Sequence, residues 1–309
     1  MNRNNDRKLI IKLKKKLKLH NESINDIKTF PSGNIISISS DKSIKILNKN
    51  FTIIQTILNA HEKEILSCDI KNENTFLTSS NDLSIKIWIK KGKKYENYSI
   101  IKNTHKDYIY KAIFFPKSEN IISCYNEIKI WEKNIKDNSY QNITIIKDFH
   151  FVFSLLFIQE KKMLISAGWG GVSFWKLNEY KLIKHISDIS CWHKNAIIKL
   201  DNDKILLGGD FFKCILKVFS LSQMKIISEI KNDFQCYSLF QLNHLNYFLC
   251  GGGNDNINIY NTKNYKFVEK VKGAHNDIIY GFFEIKDNNY FGSFSKDGTI
   301  KIWNYNHFI

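Results

Sequence analysis

Apolar and polar residues alternate in short bursts along this chain, and the bursts return at a regular spacing. SSDKSIKIL ends at Leu47, SSNDLSIKIW at Trp88, SCYNEIKIW at Trp131 and SFSKDGTIKIW at Trp303. Weaker copies, AGWGGVSFW, LKVF and DNINIY, end at Trp175, Phe219 and Tyr260. The seven end points lie 41, 43, 44, 44, 41 and 43 residues apart, a period that marks repeat architectures built from one supersecondary unit. The tail I-K-I-W has the period of two that a strand shows. Asp or Asn with Gly or Ser before it predicts a tight turn. Each unit therefore reads as four short strands, with Pro31 and Pro116 in the turns FPSGN and FPKSEN.

In four units a histidine precedes an isoleucine by four residues: His20/Ile24, His61/Ile65, His105/Ile109 and His275/Ile279. It stands 26 to 28 residues before the closing position. With these residues in phase over 8–305, the chain resembles the WD-repeat (WD40) β-propeller family. The resemblance implies an all-β fold, a single seven-bladed propeller of four-stranded blades spanning 1–309. It also implies a hydrogen-bonded tetrad of His, Ser or Thr, Asp and Trp in each well-preserved blade. The members expected are His61, Ser80, Asp82 and Trp88 in unit two, and His275, Ser295, Asp297 and Trp303 in unit seven. Partial sets are His20, Ser39 and Asp41 with Leu47 in unit one, and His105, Ser123 and Trp131 in unit three, which lacks the Asp. Units four to six keep little beyond a terminal aromatic. Ser, His and Asp also make up a hydrolytic triad, but repetition in separate blades argues for architecture.

The last strand ends close to residue 309, so the outer strand of blade seven must come from elsewhere. Residues 8–19, after a polar tail at 1–7, supply Ile11, Leu13, Leu17 and Leu19 alternating with lysines. Such a segment predicts a closing outer strand, which removes free sheet edges. The rival readings of its lysines are a nuclear-localisation patch around Lys14–Lys16 or an amphipathic membrane helix.

Composition changes the picture less than its totals suggest. The 309 residues carry 46 basic and 30 acidic side chains, a net charge of +16. Nucleic acid is the partner that such a charge first brings to mind. Yet the only arginines are Arg3 and Arg7, and planar recognition of phosphate or guanine usually recruits arginine. The six cysteines show no C-x-x-C pair and read as reduced thiols in a cytoplasmic or nuclear protein. The longest apolar run, near 151–158, is too short to span a bilayer. No phosphate-cradling loop, zinc-ligand spacing or paired-carboxylate signature appears, so no catalytic, cofactor or metal residue is assigned.

What remains is an interaction surface. The resemblance implies a rigid, monomeric platform whose His and Asp loops project from one rim, the top face. Aromatic residues collect there in units four and five: Trp169, Trp192, Phe211 and Phe212. They are either binding hot spots or rings buried in place of lost tetrads. A second, more polar patch is expected from Ser40, Asn81 and Lys296, with Tyr108 and Tyr280 nearby. The reading is a non-enzymatic scaffold for protein or peptide partners. A ribosome- or RNA-associated propeller, using the lysine-rich strand and Lys90–Lys94, is the less favoured alternative.

Overall fold

The computed structural model describes residues 9–149, 151–208, 213–242, 245–286 and 289–307. They form twenty-eight strands and one short 3-10 turn, Gln159–Lys161. The strands make seven four-stranded antiparallel sheets, six of them running from inner to outer strand in chain order. Six of these blades are continuous: 24–57, 65–101, 111–147, 152–186, 197–231 and 236–271. The seventh joins residues 279–307 to the N-terminal strand Leu9–Lys18. Neighbouring inner strands pack in sequence, and Ile279–Glu284 meets Ile24–Thr29 to close the ring. No helix of the described residues is long and apolar enough to cross a membrane.

The apolar positions of each I-K-I-W tail are buried because both faces of a blade are covered by its neighbours. Between blades one and two, Ile36, Ile38, Ile44 and Ile46 pack against Phe76, Trp88 and Tyr95. The Phe76 and Trp88 rings stack at 5.9 Å. Burial of each such side chain contributes about 1.5–3 kcal/mol, and each interface repeats it.

A β-bulge recurs where the third strand meets the fourth. At each unit's closing position the outer strand gains one residue in its register: Ile54, Tyr98, Ile143, Ile183, Ile227 and Val268 in blades one to six. The closing strand does the same. Leu13 pairs with Trp303 and Lys15 with Ile302, so Lys14 is the extra residue. A bulge shifts side-chain alternation by one, and this corrects the expectation of one apolar face. Leu9 and Ile11 pack toward blade six, whereas Leu17 and Leu19 pack toward blade one. Leu13, at the switch, is 47% exposed.

Candidate functional site

The histidines expected to pin the top loops are buried, and their partners define the rim. In blade two, the His61 Nδ1 lies 2.8 Å from Asp82 and Nε2 lies 2.8 Å from the Thr78 hydroxyl. The Trp88 indole donates to that same Thr78 oxygen at 2.9 Å. Burial lowers the His61 pKa against the opposing pull of Asp82. Burial also opposes ionisation of Asp82, but hydrogen bonds from His61 and Ser84 outweigh it and hold the carboxyl below its usual range. The site is therefore a neutral imidazole beside a carboxylate, fully hydrogen-bonded and closed to substrate.

Three expected hydroxyls are corrected. Thr78, not Ser80, completes blade two; Ser293, not Ser295, completes blade seven; Ser37, not Ser39, meets His20 in blade one. Ser80 and Ser295 instead accept the amides of Asp82 and Asp297 and donate to carbonyls across the turn. Ser39 likewise accepts the Asp41 amide. Only Ser123 of blade three is the hydroxyl expected, bonded to His105 and Trp131. The reason is hairpin length. Ser123 pairs with Lys129 across a turn two residues shorter than the one across which Thr78 pairs with Lys86. A constant offset from the tryptophan therefore points two residues too late in the longer turns, on the same face.

Two further polar sets escape the sequence pattern. In blade four Asp148 takes the place of histidine, accepting from Ser166 at 2.5 Å and Ser173 at 2.7 Å, while the Trp175 indole donates to Ser166. In blade six the Tyr260 hydroxyl and Asn258 converge on Asn232. The lysine of the repeated I-K-I also has a task. Lys86, Lys129 and Lys217 donate to the carbonyls of Ala60, Thr104 and Asp188 at the base of the top loops.

At the centre of this face is a cavity of ≈ 390 Å³. Its wall is built from one recurring position, the residue after the apolar anchor of each inner strand. Asn25, Leu66, Phe153, Tyr237 and Tyr280 are each the extra residue of an inner-strand bulge. Tyr110 holds the corresponding place in blade three. Bulges re-aim side chains, and here they turn this one toward the axis. Blade five differs. Its inner strand is only Ile197–Lys199, and the preceding residues cross the channel as a plug. The Lys194 carbonyl accepts from Lys111 and Ser154, its ammonium donates to the Leu66 carbonyl, and Asn195 donates to the Tyr280 carbonyl. Burial pushes the Lys194 pKa down to about 8.

Aromatic rings continue from the cavity over the rim. Tyr108, Tyr110, Tyr125, Phe151, Trp169 and Trp192 form a chain with successive centroids 5.0–6.1 Å apart. On the far side of the plug, His193 stacks on Tyr237, which neighbours Tyr280 at 6.4 Å. Trp169 is 52% exposed and Tyr108 43%, while Trp192 is half-buried. Of the aromatic patch expected around Trp169 and Trp192 and the polar patch expected from Ser40, Asn81 and Lys296 with Tyr108 and Tyr280 nearby, Trp192, Ser40 and Tyr280 line one mouth, and ring contacts join Trp169 and Tyr108 to it. Ser40 accepts there from Asn25. Asn81 donates to Glu64, and Lys296 faces Asp277 at 3.8 Å. Phe211 and Phe212 lie outside the described residues. Sequence reasoning missed Tyr110, Tyr125, Phe153 and Tyr237. The aromatic after each strand's apolar anchor was a signal that could have found Tyr110, Phe153 and Tyr237.

Close backbone approach supports the same rim. A side chain on Gly168 would collide with the Phe151 carbonyl, and one on Gly252 with the Gln235 carbonyl. Both glycines end second strands beneath the top turns.

The family model described as WD domain, G-beta repeat matches residues 11–48, 52–88 and 268–304. These segments supply the blades in which an aspartate holds the histidine. No curated protein matches the chain.

Proposed function

Because the chain is a seven-bladed β-propeller of WD40 repeats, a fold that generally serves as a protein-interaction scaffold, we propose that it is a non-enzymatic adaptor binding protein or peptide partners through its top face. The observation that carries this reading is the belt of partly exposed rings around the central mouth. Rigid aromatic groups lose little entropy on binding and concentrate interface energy. The polar networks beneath them hold the loops in place, so the surface is preformed. Six unbridged thiols support a reducing compartment, cytoplasm or nucleus, for this role.

The test is affinity purification with mass spectrometry, comparing the wild type with Trp169→Ala. The expected result is selective loss of partners with the unfolding midpoint unchanged. Retention of every partner, or a loss that merely follows unfolding, would remove this face from consideration. An RNA-associated protein would instead lose its partner steeply between low and moderate salt and be indifferent to Trp169→Ala.

A further inference from the structure

A second cavity lies on the axis below the blade-five plug. It measures ≈ 360 Å³ and is walled chiefly by the inner strands of blades one, five, six and seven. Thr29 and Glu284, which line it, end their inner strands away from the top turns, and Glu284 is exposed. This cavity therefore opens on the face opposite the aromatic belt. One wall is apolar, with Ile197, Ile198, Leu239, Phe240 and Phe282. The other wall is polar. Among the described residues that line it, Lys111 alone comes from blade three. Its side chain reaches into the channel as far as the plug, where the ammonium donates to the Lys194 carbonyl at 3.0 Å.

Three amines share this part of the channel, and their surroundings sort them. Burial opposes the charge of Lys28, but Asp26, 3.5 Å away, outweighs it and raises the pKa. The Lys194 ammonium is engaged by the Leu66 carbonyl, and its side chain lines the upper cavity. Lys111 forms no ion pair among the described residues, and its hydrogen bond is to a neutral carbonyl. Burial, aided by the Lys28 charge, pushes its pKa down to about 8 against the pull of Asp26, Cys124 and Asp69. An amine with this pKa is about one-tenth neutral at pH 7, against about one part in three thousand for an ordinary lysine. Desolvation beside another cation is how a lysine becomes a nucleophile toward carbonyl carbon.

We propose that Lys111 is a covalent binding site for small, uncharged, apolar aldehydes, which enter by the lower mouth and are held as an imine. The amine nitrogen adds to the aldehyde carbon, and the proton it loses passes to the carbonyl oxygen, giving a carbinolamine. The nitrogen lone pair then forms C=N as the C–O bond breaks, and the oxygen leaves as water with the second amine proton. Nothing is oxidised or reduced. Asp26, which lines the same cavity, serves as the proton carrier. The apolar wall receives the hydrocarbon body, and a cavity of this size holds an aryl or short alkyl group. A charged aldehyde would lose its hydration against that wall.

The test treats the full chain at neutral pH with benzaldehyde and sodium cyanoborohydride, which reduces the imine to a stable benzylamine. Peptide mass mapping then locates the adduct. Lys111 should be labelled at least about tenfold faster than the surface lysines, at a rate that saturates with aldehyde. The preference should vanish in urea, where all lysines have the same surroundings. Charged 4-formylbenzenesulfonate should show no preference for Lys111. Ile198→Trp, which fills the cavity from its partly exposed wall, should slow labelling of Lys111 at least about tenfold with the unfolding midpoint unchanged. Even labelling of the surface lysines, a preference that survives urea, or equal preference with the sulfonate would overturn the proposal. So would fast labelling that persists in a folded Ile198→Trp. Lys111→Arg keeps the charge and the hydrogen bond and should remove the saturable reaction altogether. A saturable reaction that moves to Lys28 or Lys194 in that variant would refute the assignment to Lys111, whether or not the tryptophan variant folds.

Discussion

The Trp88 indole and the Thr78 hydroxyl are joined at 2.9 Å, with His61 on the same oxygen. Thr78→Ala strands two buried ring nitrogens, a loss of about 2–4 kcal/mol. Thr78→Ser should cost less than about 1.5 kcal/mol, because the oxygen remains and one methyl is lost. Ser80→Ala removes only turn contacts and should cost about 1 kcal/mol. Urea unfolding of the three variants decides it; a larger cost at Ser80 than at Thr78 would refute the assignment.

His105 lacks an aspartate, and its buried Nδ1 has no hydrogen-bond partner. Burial, aided by the Lys129 charge, lowers its pKa to about 3. The unfolded chain binds this proton near pH 6.5 and the folded one does not. Stability should therefore rise with pH between about 3 and 6.5, by up to roughly 1.4 kcal/mol per pH unit from this group. His105→Gln should flatten the slope of unfolding free energy against pH by close to one proton. An unchanged slope would show that the ring is protonated in the fold or does not titrate there.

The closing strand yields a contrast along its own length. Leu9 is buried toward blade six, whereas Leu13, opposite Trp303, is 47% exposed. Leu9→Lys should destabilise by more than about 3 kcal/mol, since it buries an unpaired charge. Leu13→Lys should stay within about 0.5 kcal/mol. Deleting residues 1–18 should abolish near-ultraviolet circular dichroism while strand signal persists. A truncated protein that still unfolds cooperatively would mean that the ring does not need this strand.

Asp148 in blade four accepts two serine hydroxyls, and one of them also accepts the Trp175 indole. Asp148→Ala should cost about 2–3 kcal/mol, and Ser166→Ala a similar amount. Groups within one network are non-additive, so the double variant should cost clearly less than the two losses added. Strict additivity, measured by denaturant titration, would show that they do not act as a unit.

The period of the I-K-I-W tails and the turns before them set the number of blades and the order of strands. Those features are local, written in alternation and in turn residues, and a sequence displays them directly. The histidines, aspartates and tryptophans of the best units were legible for the same reason. Their hydroxyl partners were not, because an offset along the chain becomes a cross-strand neighbour only once hairpin length is known. Lys14 could not be recognised as a bulge either, so Leu9 and Leu17 looked alike although they serve different interfaces. The aromatic belt is more dependent still on the ring. Tyr108, Trp169 and Tyr280 are far apart in sequence and border one mouth because bulged inner strands and the blade-five plug converge on the axis. Even the lysines acquire their task only in three dimensions. Composition specifies a lysine-rich chain, and folding draws strand lysines such as Lys86, Lys129 and Lys217 onto carbonyls at the base of the top loops.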